Sequence, residues 1–586
     1  MSQSEIVSVA IHPGIGIARV GNSKDEYFIG PEVPYPDPKP PGFYRDASGA
    51  LKRQAARFRI YGLDAQGRVV REITAADARI EWTVEVANKK AAWYQFTTAM
   101  DIPEAVPVGR RNAQIQGAER KKLEITPPLC SIEGVGQGGE GYQLVGDFFD
   151  QKVYLGELAT DEAGRLIFLG GHGVSRSAAP GDKPYTFANN DGWHDDVSDG
   201  PVCATVHLDG RELRAEPAWV VVGPPNYAPD LLGVVTMYDI LANTYIGNWW
   251  EQKKKPSFTQ DIYPILERFC TTEWVNQGFF NEFGWRAPNE FLRQLDVLSA
   301  PGKDFEERRR QIFNQFRYPQ QLNSNLNLTV PNNTGFSAGI SIGQWPVYYG
   351  DAVTLSNVNP NAYMPVTELM YQYLGQWAAG DFEADWEGPP EHPVAIDQVP
   401  LEEQPATLDR AAMEFCLGGP FHPGCEMTWP MRNYTMYTEP FRIRHWKAGG
   451  ARTDYGDFLL PEQVYSQSDG NPTVGGPLYF QAPGDLTRWM AVPWQTDSAS
   501  CRSGYVPQYD PYLPTFWPQR VPNQVLTEET YKKIMSSPPP EGWLEFQKRA
   551  VWYRFLGPDY DNSGQIDTMI HRFGDLGIVE RRPGPG

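Results

Sequence analysis

Between residues 5 and 222 apolar and polar positions alternate in short runs. These are "IVSVAIHP" (Ile6–Pro13), "RFRIYGLD" (Arg57–Asp64), "RVVREIT" (Arg68–Thr74), "RIEWTVEVAN" (Arg79–Asn88), "KVYLGELAT" (Lys152–Thr160), "RLIFLGG" (Arg165–Gly171) and "AWVVVGPP" (Ala218–Pro225). Each is short, rich in β-branched residues and broken by Gly, Pro or Asp. That pattern predicts strands, at a spacing that suits an antiparallel sandwich or barrel. "GPPNYAPD" (Gly223–Asp230) reads as a junction. The expected division is a β-rich domain over 1–222 and a mixed helical and irregular domain over 223–586.

After the junction the period lengthens. "FTQDIYPILERFCTTEWVNQ" (Phe258–Gln277) sets Ile262, Ile265, Leu266 and Phe269 near one helical face. "NEFLRQLDVLS" (Asn289–Ser299) and "KDFEERRRQIFNQF" (Lys303–Phe316) read as helices too. A long irregular region, rich in Asn, Pro, Gly and aromatics, is expected from about residue 318 to 520. In "LTEETYKKIMSS" Thr527 can cap a helix whose first turn holds Glu528 and Glu529, and "WLEFQKRAVWYRFL" (Trp543–Leu556) continues helical. No internal repeat is present. The expected fold class is α+β, mainly β: an N-terminal sandwich-like part, then a helical and long-loop part housing the chemistry.

Charge and composition narrow the function. Seventy-two acidic residues against 52 basic give a net charge of −20, the wrong sign for a nucleic-acid backbone. The densest basic run, "ERRRQ" (Glu307–Gln311), reads as a solvated helix face. No apolar run reaches the roughly 20 residues of a membrane span. "MSQSEIVSVAIHPG" lacks a charged leader followed by an apolar segment, so a cytoplasmic protein is expected. Six cysteines in 586 residues make no disulfide framework; Cys416 and Cys425 could pair, but reduced thiols are the simpler reading.

Familiar catalytic templates are nearly absent. G-x-S-x-G occurs twice, around Ser337 and Ser341, but no strand-then-helix context surrounds it, so a serine hydrolase is a poor reading. "PDYDNSGQIDTMI" (Pro558–Ile570) resembles a calcium loop, with Asp559, Asp561, Ser563 and Gly564 in place. Ile570 stands where a bidentate Glu belongs, which favours a structural turn. "NNDGWHDDVSDG" (Asn189–Gly200) gathers Asp191, His194, Asp195, Asp196 and Asp199. A metal site is conceivable there, but a turn capped by its own side chains explains most of it, and no metal is expected. His194, and His422 in "GGPFHPG", read as structural from the residues alone. Cys501 and Trp517, in "DSASCRSGYVPQYDPYLPTFWPQRVPN", read equally well as a buried thiol and a core filler.

Five segments together resemble one family, the bacterial quinoprotein amino-acid oxidases. They are "IHPGIGIARVGNS" (Ile11–Ser23), "WTVEVANKKAAWYQF" (Trp82–Phe96), "NNDGWHDDVSDGPV", "GGPFHPG" and "LPTFWPQRVPNQVL" (Leu513–Leu526), spread over nearly the whole chain. The resemblance implies a cysteine tryptophylquinone built from the protein's own side chains. Cys501 would supply the thioether sulfur and Trp517 the doubly oxygenated indole, with Trp494 the nearer but less well matched indole. Asp497 would be the active-site carboxylate, taking a proton from the substrate carbon. His422 and His194 would line the pocket, holding a carboxylate or moving protons. The implied reaction takes a free amino acid and O2 to a carbonyl product, ammonia and H2O2. The resemblance also implies a flavoprotein that helps make the quinone, and homo-oligomers. The alternative is a non-catalytic binding or structural descendant lacking the mature cofactor.

Overall fold

The computed structural model describes residues 5–102, 105–319, 328–329, 337–338, 345–346, 365–418, 428–446, 453–466, 471–503, 522, 524–536, 541, 548–552 and 563–584. Its frame is one thirteen-stranded sheet. The strands are β1 (Ser8–His12), β2 (Ile15–Arg19), β3 (Tyr27–Ile29), β4 (Arg53–Leu63), β5 (Val69–Ile73), β6 (Arg79–Val84), β7 (Cys130–Glu133), β8 (Gln143–Phe148), β9 (Gln151–Thr160), β10 (Leu166–Gly170), β11 (Asp199–Leu208), β12 (Arg211–Arg214) and β13 (Ala218–Gly223). The order is β7-β6-β11-β13-β2-β4-β10-β9-β8, with β1, β3 and β5 on β4 and β12 on β11. The sheet curls into a nearly closed barrel. Helices concentrate in the C-terminal part, so the chain is α+β and mainly β, as the pattern predicts.

All seven predicted strands form. Alternation explains them: β6 turns Ile80, Trp82 and Val84 inward, and β11 does the same with Val202, Ala204, Val206 and Leu208. Two pairings depart from the antiparallel expectation, since β13 runs parallel to β2 and β3 parallel to β4. For β13 the cause is visible, because every residue of that strand is buried; β3 has no buried residue, and burial does not explain its pairing. Val220 and Val222 enter the core inside the sheet, while Trp219 and Val221 enter a second core shared with the C-terminal helices. A strand covered on both faces suits a parallel neighbour.

The "IHPGIGIARVG" segment stitches the two parts together. His12 Nδ1 lies 3.1 Å from Asp409, and Arg442 reaches His12 Nε2 (2.9 Å) and the Ile11 carbonyl (2.7 Å). Arg19 donates to the carbonyls of Pro224 and Phe415. Gly16 lies under the Phe58 ring, where a Cβ would sit 2.3 Å from a ring carbon.

Several helical expectations need correction. The segment 258–277 is not one helix: Phe258–Ile262 and Tyr263–Thr271 are followed by a short turn, and Asn276 caps a new helix, Gln277–Phe283. The region expected to be irregular holds helices Glu368–Ala378, Gln404–Glu414 and Trp494–Ser503. Ala550 and Val551, expected in a helix, instead form a short strand with Gln524–Val525. Within "ERRRQ", Arg309 is fully buried and donates to the Trp377 carbonyl at 2.9 Å, so that face is only partly solvated. Ser563–Arg572 is a helix rather than the second half of a calcium loop, and Ile570 packs on Trp193 and Val492. The first half of that motif, and Ser341, lie outside the described residues. Ser337 sits in a two-residue strand paired with Leu328–Thr329.

Candidate active site

The helix Trp494–Ser503 carries both Asp497 and Cys501. Residues four apart in a helix share a face, so the carboxylate and the thiol-bearing position are stacked one turn apart. Asp497 is 0 % exposed. Gln495 and Thr496 are also 0 % exposed and Ser498 1 %, so four consecutive polar side chains are taken out of water. Such burial is unfavourable unless each finds a partner. Gln495 accepts from Ser175 Oγ (2.7 Å) and donates to the Gly173 carbonyl (2.9 Å). Thr496 donates to the Phe187 carbonyl, and Ser498 to the Trp494 carbonyl. The Trp494 ring packs edge-on against Phe573 at 5.3 Å.

Pro493 precedes this helix and has no side-chain acceptor with which to cap it. The cap comes from a distant segment, because the Trp494 amide donates to Asp195 Oδ2 at 2.9 Å. Lys90 Nζ meets the same oxygen at 2.7 Å and also donates to the Ala491 carbonyl at 2.9 Å. Lys90 and Asp195 are both 0 % exposed. Asn88 donates to Asp195 Oδ1 (2.7 Å), and Asn190 to the Val492 carbonyl (3.0 Å).

"NNDGWHDDVSDG" is therefore a bracket between the sheet and the site helix. Asn190 Oδ1 accepts from the amides of Tyr185 and Thr186, the turn chemistry the sequence implies. Asp191 accepts from the Asn112 amide (2.6 Å), and Asp199 from the amide and hydroxyl of Thr487 and from the Trp219 indole. Asp196 accepts from the Val174 amide, and burial pushes its carboxyl up to about 7. Burial likewise raises Asp199 to about 6 against the opposing hydrogen bonds, and lowers the Arg111 guanidinium to about 10. Among the described residues no His, Cys, Asp and Glu cluster has metal-binding geometry.

His194 is 3 % exposed and ends a two-residue strand, Trp193–His194. Its ring rests on Phe148 at 5.0 Å, its Nδ1 lies 3.4 Å from the Asp195 carbonyl, and burial lowers its pKa. Asp497 and Cys501 thus occupy positions one turn apart on the same helix. Trp517, His422 and Cys425 lie outside the described residues. The residues that residue-by-residue reading misses are Asn88, Lys90 and Gln495, and Asp195, singled out within an acidic turn, caps a distant helix instead. One signal could have found them, a proline-led helix with no cap of its own and a polar run, "QTDS", set among apolar neighbours.

A family model described as the L-lysine epsilon oxidase N-terminal region matches residues 12–222, and one described as the L-lysine epsilon oxidase C-terminal domain matches 346–517. Together they cover well over half of the chain, including Asp497, Cys501 and Trp517. The chain belongs to the L-lysine ε-oxidase family. The L-lysine 6-oxidase of Marinomonas mediterranea is 28% identical over 569 residues, spanning 84% of this chain and 71% of that protein. The crystal structure of the L-Lys ε-oxidase from the same organism matches with a TM-score of 0.68 at 23% identity, covering 97% of this chain and 92% of that one. The Schiff base intermediate of that oxidase with L-Lys matches with a TM-score of 0.67. Both structural matches show the shared fold. Among the described residues no helix is long and apolar enough to cross a membrane.

Proposed function

We propose that this chain is an amino-acid oxidase whose cofactor is a cysteine tryptophylquinone made from Cys501 and Trp517. Its set of residues fits that group: a thiol position and a buried carboxylate share one helical face, and an indole follows sixteen positions along the chain. The observation that carries the reading is the complete burial of Asp497 one turn before Cys501. That group, once formed, would supply an electrophile through which the two electrons of a substrate primary amine could reach O2, with H2O2 as the product.

The rest is done by the chain's own groups. Asp497 Oδ accepts the proton from the carbon bearing the amine, and its burial keeps that proton from exchanging into bulk water. Water is consumed as the oxidised substrate becomes a carbonyl compound and releases ammonia. His194, its pKa lowered by burial, is proposed as a hydrogen-bonding and proton-moving wall of the pocket. His422 is proposed as the second pocket wall. A flavoprotein partner for maturation and a homo-oligomeric state follow from the same reading.

The test is peroxide and ammonia release across the twenty amino acids, using chain co-produced with its maturation flavoprotein. The reading expects equal yields of both products from at least one amino acid. Their absence with every amino acid would overturn it.

A further inference from the structure

We propose that Lys90 and Asp195 are positioning residues, a buried charged latch that sets the register of the helix bearing Asp497 and Cys501. The inference rests on the oxidase reading above for its consequence, but not for its geometry.

Three observations carry it. The latch grips the chain on both sides of the helix start, because Asp195 accepts the Trp494 amide (2.9 Å) while Lys90 holds the Ala491 carbonyl (2.9 Å). Asn190 holds the Val492 carbonyl between them, so each residue flanking Pro493 is fixed by a side chain from the same bracket. Finally, the pair is sealed, with both side chains 0 % exposed and 2.7 Å apart.

A sealed ion pair is a poor way to gain stability, since the desolvation of both charges offsets their attraction; apolar residues of similar size often do as well. What the pair supplies is direction. An ammonium and a carboxylate can satisfy each other, one amide and one carbonyl in only one arrangement. A slip of one residue at Trp494 would rotate the helix by about 100° and swing the face that Asp497 and Cys501 share into a different direction. Since the thioether must form between a fixed sulfur position and a distant indole, crosslink formation is the step most sensitive to that register.

The test uses full-length chain co-produced with its flavoprotein, comparing wild type, Asp195→Ala and the double variant Lys90→Met/Asp195→Asn. The double variant removes both charges together and keeps an acceptor for the Trp494 amide, so its thermal midpoint should stay near that of wild type. Amide exchange at Trp494–Asp497 should nevertheless rise by about tenfold or more. The fraction of chain that has gained two oxygens and lost four hydrogens should fall below about half of the wild-type fraction. Asp195→Ala should show both changes more strongly. A double variant with wild-type exchange and wild-type crosslink yield would overturn the proposal. So would a wild-type Trp494 amide that exchanges as fast as an exposed one, a result that stands even if the variants fail to fold. Absence of the crosslink from wild type would instead overturn the oxidase reading, leaving amide exchange to judge the latch.

Discussion

Val220, Val221 and Val222 in the last strand of the sheet are as buried as Gln495, Thr496, Asp497 and Ser498 in the site helix. The two runs reach that state by different physics. The valines remove apolar surface from water on both faces of a sheet, and any well-fitting apolar set would do the same. The polar run gains nothing from burial itself and depends on named partners: Ser175, Gly173 and Phe187 for its side chains, and Asp195 and Lys90 for its first turn. The first region is specified by composition and period. The second is specified by individual atoms, and that is the mark of a place where position matters more than stability.

Substitutions in the two regions should act on different properties. The largest expected effect is at Asp497: Asp497→Asn should reduce turnover by about 10²–10⁴-fold, with the melting midpoint little changed because the amide keeps the shape. Steady-state peroxide release beside a thermal melt checks both halves. In the sheet the order of effects reverses. Phe58, 0 % exposed with its ring over Gly16, should cost about 3–5 kcal/mol when cut to Ala. Chemical denaturation would show this, while the folded fraction keeps wild-type turnover per active site.

A subtler distinction lies in pH. The Asp196 carboxyl is raised from 3.8 to about 7 by burial, so the folded chain holds that proton more tightly than the unfolded one. Its contribution to stability is fully present below 3.8 and is lost as pH rises through about 7. Asp196→Asn, neutral throughout, should flatten the decline in denaturation midpoint across that window; an unchanged slope would remove Asp196 as its cause. The smallest effect is expected at Thr527, whose hydroxyl caps an exposed helix by accepting the Thr530 amide at 3.1 Å. Thr527→Ala should cost about 1 kcal/mol or less and leave turnover untouched.

The same contrast explains what the sequence reveals. Strands such as Arg79–Val84 and Ala218–Gly223 are legible because their pattern is written in neighbouring residues. So is the Thr527 cap. The helix Trp494–Ser503 is not, because its capping carboxylate is 299 positions away and a proline stands where a local cap would be. Ala550–Val551 reads as helix for the same reason: its strand partner, Gln524–Val525, is not a neighbour in sequence. Cys501 and Trp517 carry no signature of their own, and only the five resembling segments single them out. Two of those segments, "WTVEVANKKAAWYQF" and "NNDGWHDDVSDGPV", supply Asn88, Lys90, Asn190 and Asp195, so part of what the resemblance tracks is the bracket rather than the pocket.

The most direct measurement is peptide mapping by mass spectrometry of chain made in the presence of its flavoprotein. A quinone made from Cys501 and Trp517 requires one crosslinked species joining their two peptides, two oxygens heavier and four hydrogens lighter than the separate peptides combined. Recovery of both peptides unlinked and unmodified, from protein that still oxidises an amino acid, would contradict it.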